Sequence, residues 1–349
     1  MHYLMGLSVL IYLYDFATEG FLAHGRLLSQ SLFNSSAATP YHFILYGALA
    51  IAFVYFIAMS QTRNLIKTRK LLKEKEQALV LIAKQKYELE FREKNMTDSL
   101  VYAQRIQEAL LPSEAYFRRH FKDSFIFLKP KDIVSGDFYW IGEKKGKVFI
   151  VAADCTGHGV PGALMSMIGL EIIEKAINED NFEDPSQILA VLNKGLEKTF
   201  DREKNIGTII RDGMDLGLCV IDQDKKKIKY AGAFFPLYMI RNNNLVEVKG
   251  DKLIIGMNPR NVPYVDHDID LMEDDIFYMF SDGYADQFGG SENKKFMYRR
   301  FRYLLLTIHR FQAEDQKSIL EDNIRTWMGS NEQIDDMMVI GFKPLCKNS

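Results

Sequence analysis

Residues 61–111 contain neither proline nor glycine, and this uninterrupted stretch constrains the fold of the chain more than any other feature. Apolar residues recur along it at heptad positions, and Lys and Glu dominate the positions between them. The apolar series is Leu65, Leu72, Leu79, Ile82, Leu89, Met96, Leu100, Ala103 and Leu110. Such a repeat predicts one long helix that pairs as a parallel coiled-coil homodimer. Because Lys75, Lys86 and Glu93 interrupt the repeat, a solvated single helix is the alternative.

The residues ahead of this helix predict a membrane region over residues 1–60. Residues 41–60 carry no Asp, Glu, Lys or Arg and are long enough to cross about 30 Å of hydrocarbon. Basic residues follow at once, which places the rest of the chain in the cytoplasm; they are Arg63, Lys67, Arg69, Lys70 and Lys73. Residues 1–22 are a second candidate span and lack the basic start and cleavage site of a secretory signal peptide. A buried core helix is the alternative for residues 41–60.

Composition excludes several other classes of protein. The net charge of −2 is not that of a nucleic-acid-binding protein, and no nucleic-acid partner is expected. The cysteines Cys155, Cys219 and Cys346 form no CxxC pair and no even set of disulfides, which suits a reducing compartment. Cysteine and histidine do not cluster with the spacing of a zinc site.

Residues 112–346 alternate between strand and helix patterns. Strands are predicted at 125–128, 137–142, 147–153, 214–222, 227–231, 237–241, 245–249, 276–281 and 337–343. Helices are predicted at 163–178, after an N-cap at Ser186, and at 301–309 and 315–328. This order is consistent with an α/β (α+β) sandwich of two antiparallel β-sheets flanked by helices, although periodicity alone does not select it.

Acidic residues stand at the ends of four predicted strands. They are Asp137, Asp154, Asp282 and the pair Asp335 and Asp336. Each one alone is ordinary turn or capping chemistry. Together, on separate segments, they offer the carboxylate oxygens that hard divalent cations require, and acids from several segments suit a two-metal site.

In these residues the chain resembles the SpoIIE branch of the PPM (type 2C-like) metal-dependent serine/threonine protein phosphatases. The motifs are Gly-Asp-Phe-Tyr at 136–139, Ala-Asp-Cys-Thr-Gly-His-Gly at 153–159, Ser-Asp-Gly-Tyr-Ala-Asp at 281–286 and Asp-Asp-Met-Met-Val-Ile at 335–340. Their order and spacing match over about residues 106–342. Phe234 stands where the family has His, and Met338 where it has Thr. The resemblance implies the PPM phosphatase fold for residues 112–346, behind a coiled-coil signalling helix over 61–111.

The resemblance also implies roles for the site residues with two Mn²⁺ or Mg²⁺ ions. Asp154 would bridge the ions, Asp282 and Asp335 would hold the second ion, and the Cys155 backbone carbonyl would be a further ligand. Asp137 would act through a water, and Asp154 and Asp137 are the expected catalytic residues.

Three further residues have open roles. Asp215 either approaches a third metal ion or only stabilises a turn or caps a backbone N–H group. Asp336 is a metal ligand only if it points inward, as one acid of such a pair normally does. His158 is a candidate general acid that would contact the phosphate or the leaving group, although it stands further from Asp154 than the histidine of type 2C phosphatases does from its aspartate.

The resemblance implies hydrolysis of phosphoserine or phosphothreonine on a protein, at the inner membrane of a bacterium. A phosphorylated STAS-type anti-sigma-factor antagonist, or a similar partner-switching protein, is the expected substrate. One alternative is a receptor that binds a phosphoprotein without turnover. Another is a sensor histidine kinase, which shares the span and coiled coil, but the sequence has no glycine-rich ATP-lid pattern and no His in residues 101–111.

Overall fold

The computed structural model describes residues 39–180, 182–201, 212–258 and 262–344. The candidate span at residues 1–22 and Cys346 lie outside these residues. The chain divides into two compact units between Phe91 and Arg92.

One helix, α1 (Thr39–Leu110), contains both the apolar residues 41–60 and the heptad stretch. The two predicted segments are continuous because no proline or glycine interrupts the backbone hydrogen bonding after residue 60. Among the described residues, this is the one helix long and apolar enough to cross a membrane. Its heptad residues Leu72, Leu79 and Leu89 are all exposed. The single chain therefore presents an apolar stripe along this helix.

Two five-stranded antiparallel sheets form most of the second unit. The first contains β1 (Ser124–Lys129), β6 (Leu237–Arg241), β7 (Asn244–Val248), β9 (Ile276–Phe280) and β12 (Met337–Phe342), in the order β1-β12-β9-β6-β7. The second contains β2 (Phe138–Lys144), β3 (Lys147–Cys155), β4 (Met214–Asp222), β5 (Lys227–Ala233) and β8 (His267–Asp270), in the order β2-β3-β4-β5-β8. A separate hairpin joins β10 (Phe288–Gly289) to β11 (Lys294–Lys295).

Helices cover the outer faces of both sheets. The covering helices are α3 (Gly159–Asn178), α4 (Pro185–Asp201), α5 (Gly283–Asp286), α6 (Tyr298–Ile308) and α7 (Ala313–Met328). The short helix α2 (Glu114–His120) instead packs Phe117 into the core between the sheets. In β3, Val148 and Ile150 belong to the core between the sheets, whereas Phe149 and Val151 pack with α3 and α4. The same alternation in β9 turns its outer face towards α6 and α7. The result is the expected α+β sandwich in helix, sheet, sheet, helix order, with strands that read as apolar runs because both faces are buried.

Helix α6 begins at Tyr298, three residues ahead of its predicted start at residue 301. Two other predicted helix starts are wrong as well. Helix α4 begins at Pro185, and the N–H groups of the next turn donate to the carbonyl of Asp184, while Ser186 Oγ donates to Asp266 at 2.8 Å. Helix α3 begins at Gly159, ahead of the predicted start at residue 163. In both cases proline lies in the first turn, where its missing N–H has no helical partner to lose. The short helix α2 and strand β8 were not predicted.

Candidate metal centre

The antiparallel order of both sheets collects the acidic residues at strand ends that face one another. In the second sheet, Asp137 precedes β2, and Asp154 near the end of β3 pairs in register with Asp215 near the start of β4. In the first sheet, Asp282 follows β9, and Asp335 precedes its antiparallel neighbour β12. The end of one strand and the start of its antiparallel neighbour lie at the same edge of a sheet. We call this group of residues the acid edge.

Hydrogen bonds connect the two sheets at the acid edge. Ser281 Oγ, which follows β9, donates to Asp137 Oδ2 at 2.6 Å. The backbone N–H groups of Lys131 and Gly136 donate to the two carboxylate oxygens of Asp336, at 2.7 and 2.6 Å. Asp137 and Asp336 are both buried. Both oxygens of Asp336 thus hold the loop ahead of β2, and its role as a metal ligand stays a prediction.

The loop ahead of β2 also touches the turn that follows Asp154. A Cβ atom at Gly136 would lie 2.8 Å from the carbonyl oxygen of Gly157 and 3.5 Å from that of Cys155, so only glycine fits here. This contact puts the Cys155 carbonyl beside the loop of the acid edge. The Cys155 thiol is buried, and burial together with the charge of Asp154 raises its pKa well above the usual range. A buried thiol with a raised pKa is a poor nucleophile.

The carboxylates of the acid edge disfavour one another's ionisation. Burial, and next the charge of Asp282, raises the pKa of Asp154 well above its usual range. Burial and then Asp154 do the same to the pKa of Asp137. Desolvation followed by a neighbouring carboxylate raises the pKa of Asp215 to about 6, and that of the more open Asp282 also to about 6. The acid edge thus holds more negative charge than its surroundings stabilise.

This donor set fits a divalent cation in chemistry and charge. Within the described residues, the side chains of Asp154, Asp215 and Asp282 form no ion pair with Lys or Arg and accept no hydrogen bond. Carboxylate and carbonyl oxygens are the ligands that Mg²⁺ and Mn²⁺ prefer, and their charge would relieve the repulsion. No three His, Cys, Asp or Glu side chains of the described chain already converge as a finished metal site. The match is therefore one of donor type and charge, not of completed ligand geometry.

A cationic group borders the acid edge. His158, exposed at the start of α3, has Nδ1 at 2.7 Å from Asp132 Oδ2 and Nε2 at 2.8 Å from Lys131 Nζ. An ammonium group can only donate, so Nε2 accepts from Lys131 and Nδ1–H donates to Asp132. Burial raises the pKa of Asp335, and the positive charge of Lys131 acts in the opposite direction. Sequence reasoning did not find Asp132, because no motif contains it.

The two departures from the family motifs occupy different surroundings. Met338 is buried in the core between the sheets, and only its backbone N–H bonds near the site, to Ser281 Oγ at 2.9 Å. Phe234 is exposed in a turn after β5 with a positive φ of 50°. Neither side chain carries an oxygen or nitrogen atom, so neither can serve as a metal ligand.

The four-layer sandwich and its acid edge define a PP2C-type phosphatase domain. Residues 144–344, more than half of the chain, match the family model described as Stage II sporulation protein E (SpoIIE). The chain belongs to this family, and the resemblance drawn from the motifs is confirmed.

Two relatives show how far the similarity extends. The SiaA-PP2C domain of Pseudomonas aeruginosa is 31% identical, with a TM-score of 0.66 over 72% of this chain and 98% of that one. Phosphoserine phosphatase RsbU of Bacillus subtilis (strain 168) is 29% identical over 160 residues, or 44% of each protein. The match therefore spans less than half the length of this curated relative.

Proposed function

We propose that this protein is a membrane-anchored, metal-dependent phosphatase that hydrolyses phosphoserine or phosphothreonine on a partner protein in bacterial signalling. The observation that carries this proposal is the acid edge, whose charge no Lys or Arg of the described residues neutralises by an ion pair. Membership of the SpoIIE family and similarity to a protein named phosphoserine phosphatase support it.

The acid edge would hold two Mn²⁺ or Mg²⁺ ions. The proposed ligands are Asp154, Asp282, Asp335 and the carbonyl of Cys155, with Asp137 acting through a water and Asp215 available to a third ion. When bound, such ions neutralise phosphate oxygens and lower the pKa of a water molecule. The hydroxyl of Ser281 donates a hydrogen bond to Asp137 from the opposite sheet and fixes the orientation of this carboxylate.

We assign contact with the substrate phosphate to Lys131. Its ammonium group lies beside the acid edge and bonds to His158 Nε2, so His158 has no proton on that nitrogen to give. Beside the acid edge, the proton available to a leaving alkoxide therefore belongs to Lys131 Nζ. Asp132 and His158 keep this ammonium in place, which is a supporting role for the histidine considered as a catalyst from the sequence.

The test of the phosphatase activity uses the 349-residue chain in detergent, a phosphoserine peptide and a release assay for inorganic phosphate. We expect turnover with Mn²⁺ or Mg²⁺ and none after chelation, and we expect Asp154→Asn to abolish it. Asp222→Asn is the matched control, because Asp222 lies at the other end of β4 from Asp215 and should retain activity. Metal-dependent binding of the peptide without phosphate release would instead identify a non-catalytic receptor.

Helix α1 supports the proposed anchor and dimer. Its apolar residues 41–60 would cross the inner membrane and leave the second unit in the cytoplasm, and its exposed heptad stripe would pair with a second copy. Leu79 and Val80 are each 67% exposed, but only Leu79 lies on the stripe. We expect Leu79→Lys to reduce cross-linked dimer and Val80→Lys to leave it unchanged. Equal cross-linking in both variants would contradict the coiled coil.

The proposed substrate is a phosphorylated STAS-type anti-sigma-factor antagonist or a similar partner-switching protein, as the family resemblance implies. Phosphoproteomes of cells with the wild-type chain and with Asp154→Asn would identify it. We expect phosphoserine or phosphothreonine to accumulate on such a protein in the variant. Accumulation only on proteins of other kinds would reject this substrate class.

A further inference from the structure

Two exposed apolar residues beside the acid edge have a left-handed backbone conformation. Eight non-glycine residues among those described have a positive φ, and six of them are Lys, Asn or Asp in turns. The other two are Phe234, with φ of 50°, and Met297, with φ of 74°, and they are 46% and 56% exposed. Met297 lies near Asp282, because its N–H donates to the carbonyl of Ala285 at 2.7 Å. Bulky apolar residues are unfavourable in this conformation, and such strain is concentrated at functional sites.

Phe234 lies where the chain crosses from one sheet to the other. The last residue of β5 pairs with the residue that follows Asp215 in β4. The first residue of β6 pairs with the last but one residue of β9, the strand that Asp282 follows. The short connection between β5 and β6 therefore runs along the acid edge, from the level of Asp215 towards Asp282. Phe234 is the first residue of this connection.

The fold holds the backbone of Phe234 without using its side chain. The Phe234 N–H donates to the carbonyl of Asp251 at 2.7 Å. The hydroxyl of Tyr230 donates to the carbonyl of the next residue, Phe235, whose own ring is buried in the core between the sheets. Among the described residues the ring of Phe234 stacks on no other aromatic ring. Glycine or asparagine would suit this backbone better, so stability does not explain an aromatic side chain here.

We propose that Phe234 is a specificity-determining residue that packs against an apolar side chain next to the phosphorylated residue of the protein substrate. This inference rests on the proposed phosphatase function. A phosphate held at the acid edge brings the neighbouring residues of the substrate over the connection between β5 and β6. Residues 232–237 carry no charged side chain, so this connection offers the substrate an apolar surface. An apolar neighbour would lose water-exposed area against the ring, whereas a polar neighbour would gain nothing from it.

The experiment measures how the 349-residue chain in detergent selects between two peptides in the presence of Mn²⁺. One peptide has Leu and the other has Asn on both sides of the phosphoserine. Each is also made with a non-hydrolysable phosphonate, so that binding is measured by fluorescence anisotropy and turnover by phosphate release. We expect the wild-type chain to bind the Leu peptide about tenfold more tightly, as for partial burial of one aliphatic side chain. The ratio of kcat/KM should show the same preference.

Three variants assign the preference to the ring of Phe234. Phe234→Asn should abolish it, because Asn accepts a left-handed backbone but offers no apolar surface. Phe234→Leu should keep most of it, because the side chain stays apolar. Phe311→Asn is the matched control and should leave the preference unchanged. Phe311 is 48% exposed, but it follows the end of α6 that lies away from Met297 and the acid edge.

Two results would overturn the proposal. One is equal binding of the two phosphonate peptides by the wild-type chain, and the other is an unchanged preference in Phe234→Asn. Binding and turnover are separate readouts. A preference for the Leu peptide that depends on Phe234, without any release of phosphate, would reject the phosphatase function and retain Phe234 as a residue that recognises the phosphoprotein.

Discussion

Strand β9 has a carboxylate at each end, and the fold places them in opposite surroundings. Asp275, just before the strand, is 1% exposed and accepts from Arg241 Nε and Nη2 at 2.9 and 2.7 Å. Asp282, just after it, forms no ion pair among the described residues and repels the carboxylates of Asp154 and Asp335. A neutralised buried carboxylate belongs to the scaffold, whereas a group of un-neutralised ones costs stability and is expected where a bound ion completes the site.

The largest expected effect is on catalysis and concerns Asp282, the carboxylate of β9 that forms no ion pair among the described residues. Asp282→Asn should lower metal-dependent phosphate release about a hundredfold or more, because a metal ligand contributes several kcal/mol of transition-state stabilisation. The Tm of the metal-free variant should not fall, since the substitution removes repulsion. Steady-state kinetics and thermal unfolding measure the two quantities. Full turnover in this variant would remove Asp282 from the site.

The next largest effect is on stability and concerns Asp275, the carboxylate of β9 that pairs with Arg241. Asp275→Ala should lower the free energy of unfolding by about 2–3 kcal/mol, because it leaves the Arg241 guanidinium partly buried without its carboxylate. Turnover at saturating metal should stay close to wild type. Denaturant unfolding checks the first expectation, and Asp268→Ala, at an exposed position in β8, is the control. A variant as stable as wild type but inactive would reverse the roles assigned to the two ends.

The stability of the metal-free protein should depend on pH, because the carboxylates of the acid edge repel one another when they are ionised. The pKa of Asp215 and of Asp282 is raised to about 6, above the value of about 4 expected in the unfolded chain. Between these values the folded state binds more protons, so stability falls as the pH rises through this window. We expect the Tm of chelator-treated protein to be a few degrees higher at pH 5 than at pH 7.5, and Mn²⁺ at pH 7.5 to restore it. Asp282→Asn should show a smaller difference, and a Tm that rises with pH would contradict the repulsion.

The smallest expected effect concerns Lys131, the cationic residue that borders the acid edge. Lys131→Met should raise KM about 5–10-fold with a smaller change in kcat, as for loss of one partly exposed contact with phosphate. Lys122→Met is the control, because Lys122 is exposed ahead of β1, at the opposite end of that strand from the acid edge. A fall in kcat without a change in KM would assign Lys131 to proton donation alone.

Much of the fold and of the acid edge could be predicted from the sequence. Strands buried on both faces read as apolar runs, so most were found to within a residue or two, and Asp154 and Asp282 stood out at their ends. Strand β8 was missed because its burial alternates over only four residues. The start of α3 was misplaced because Gly159 and Pro161 suggest a turn, although both are compatible with a first helical turn.

The sequence by itself determined the long helix, the strand order along the chain and the carboxylates that could bind a metal, because local periodicity and motif spacing express these directly. Only the tertiary structure decided which partners the neighbouring acids Asp335 and Asp336 contact. Asp336 bonds to the backbone of Lys131, 205 residues away, while Asp335 remains at the acid edge. Likewise, Gln107 is one of many polar residues in the second half of α1, and its contact with Ser135 lies 28 residues further along the chain. Such contacts depend on which strand ends the two sheets bring together, and no local pattern encodes that.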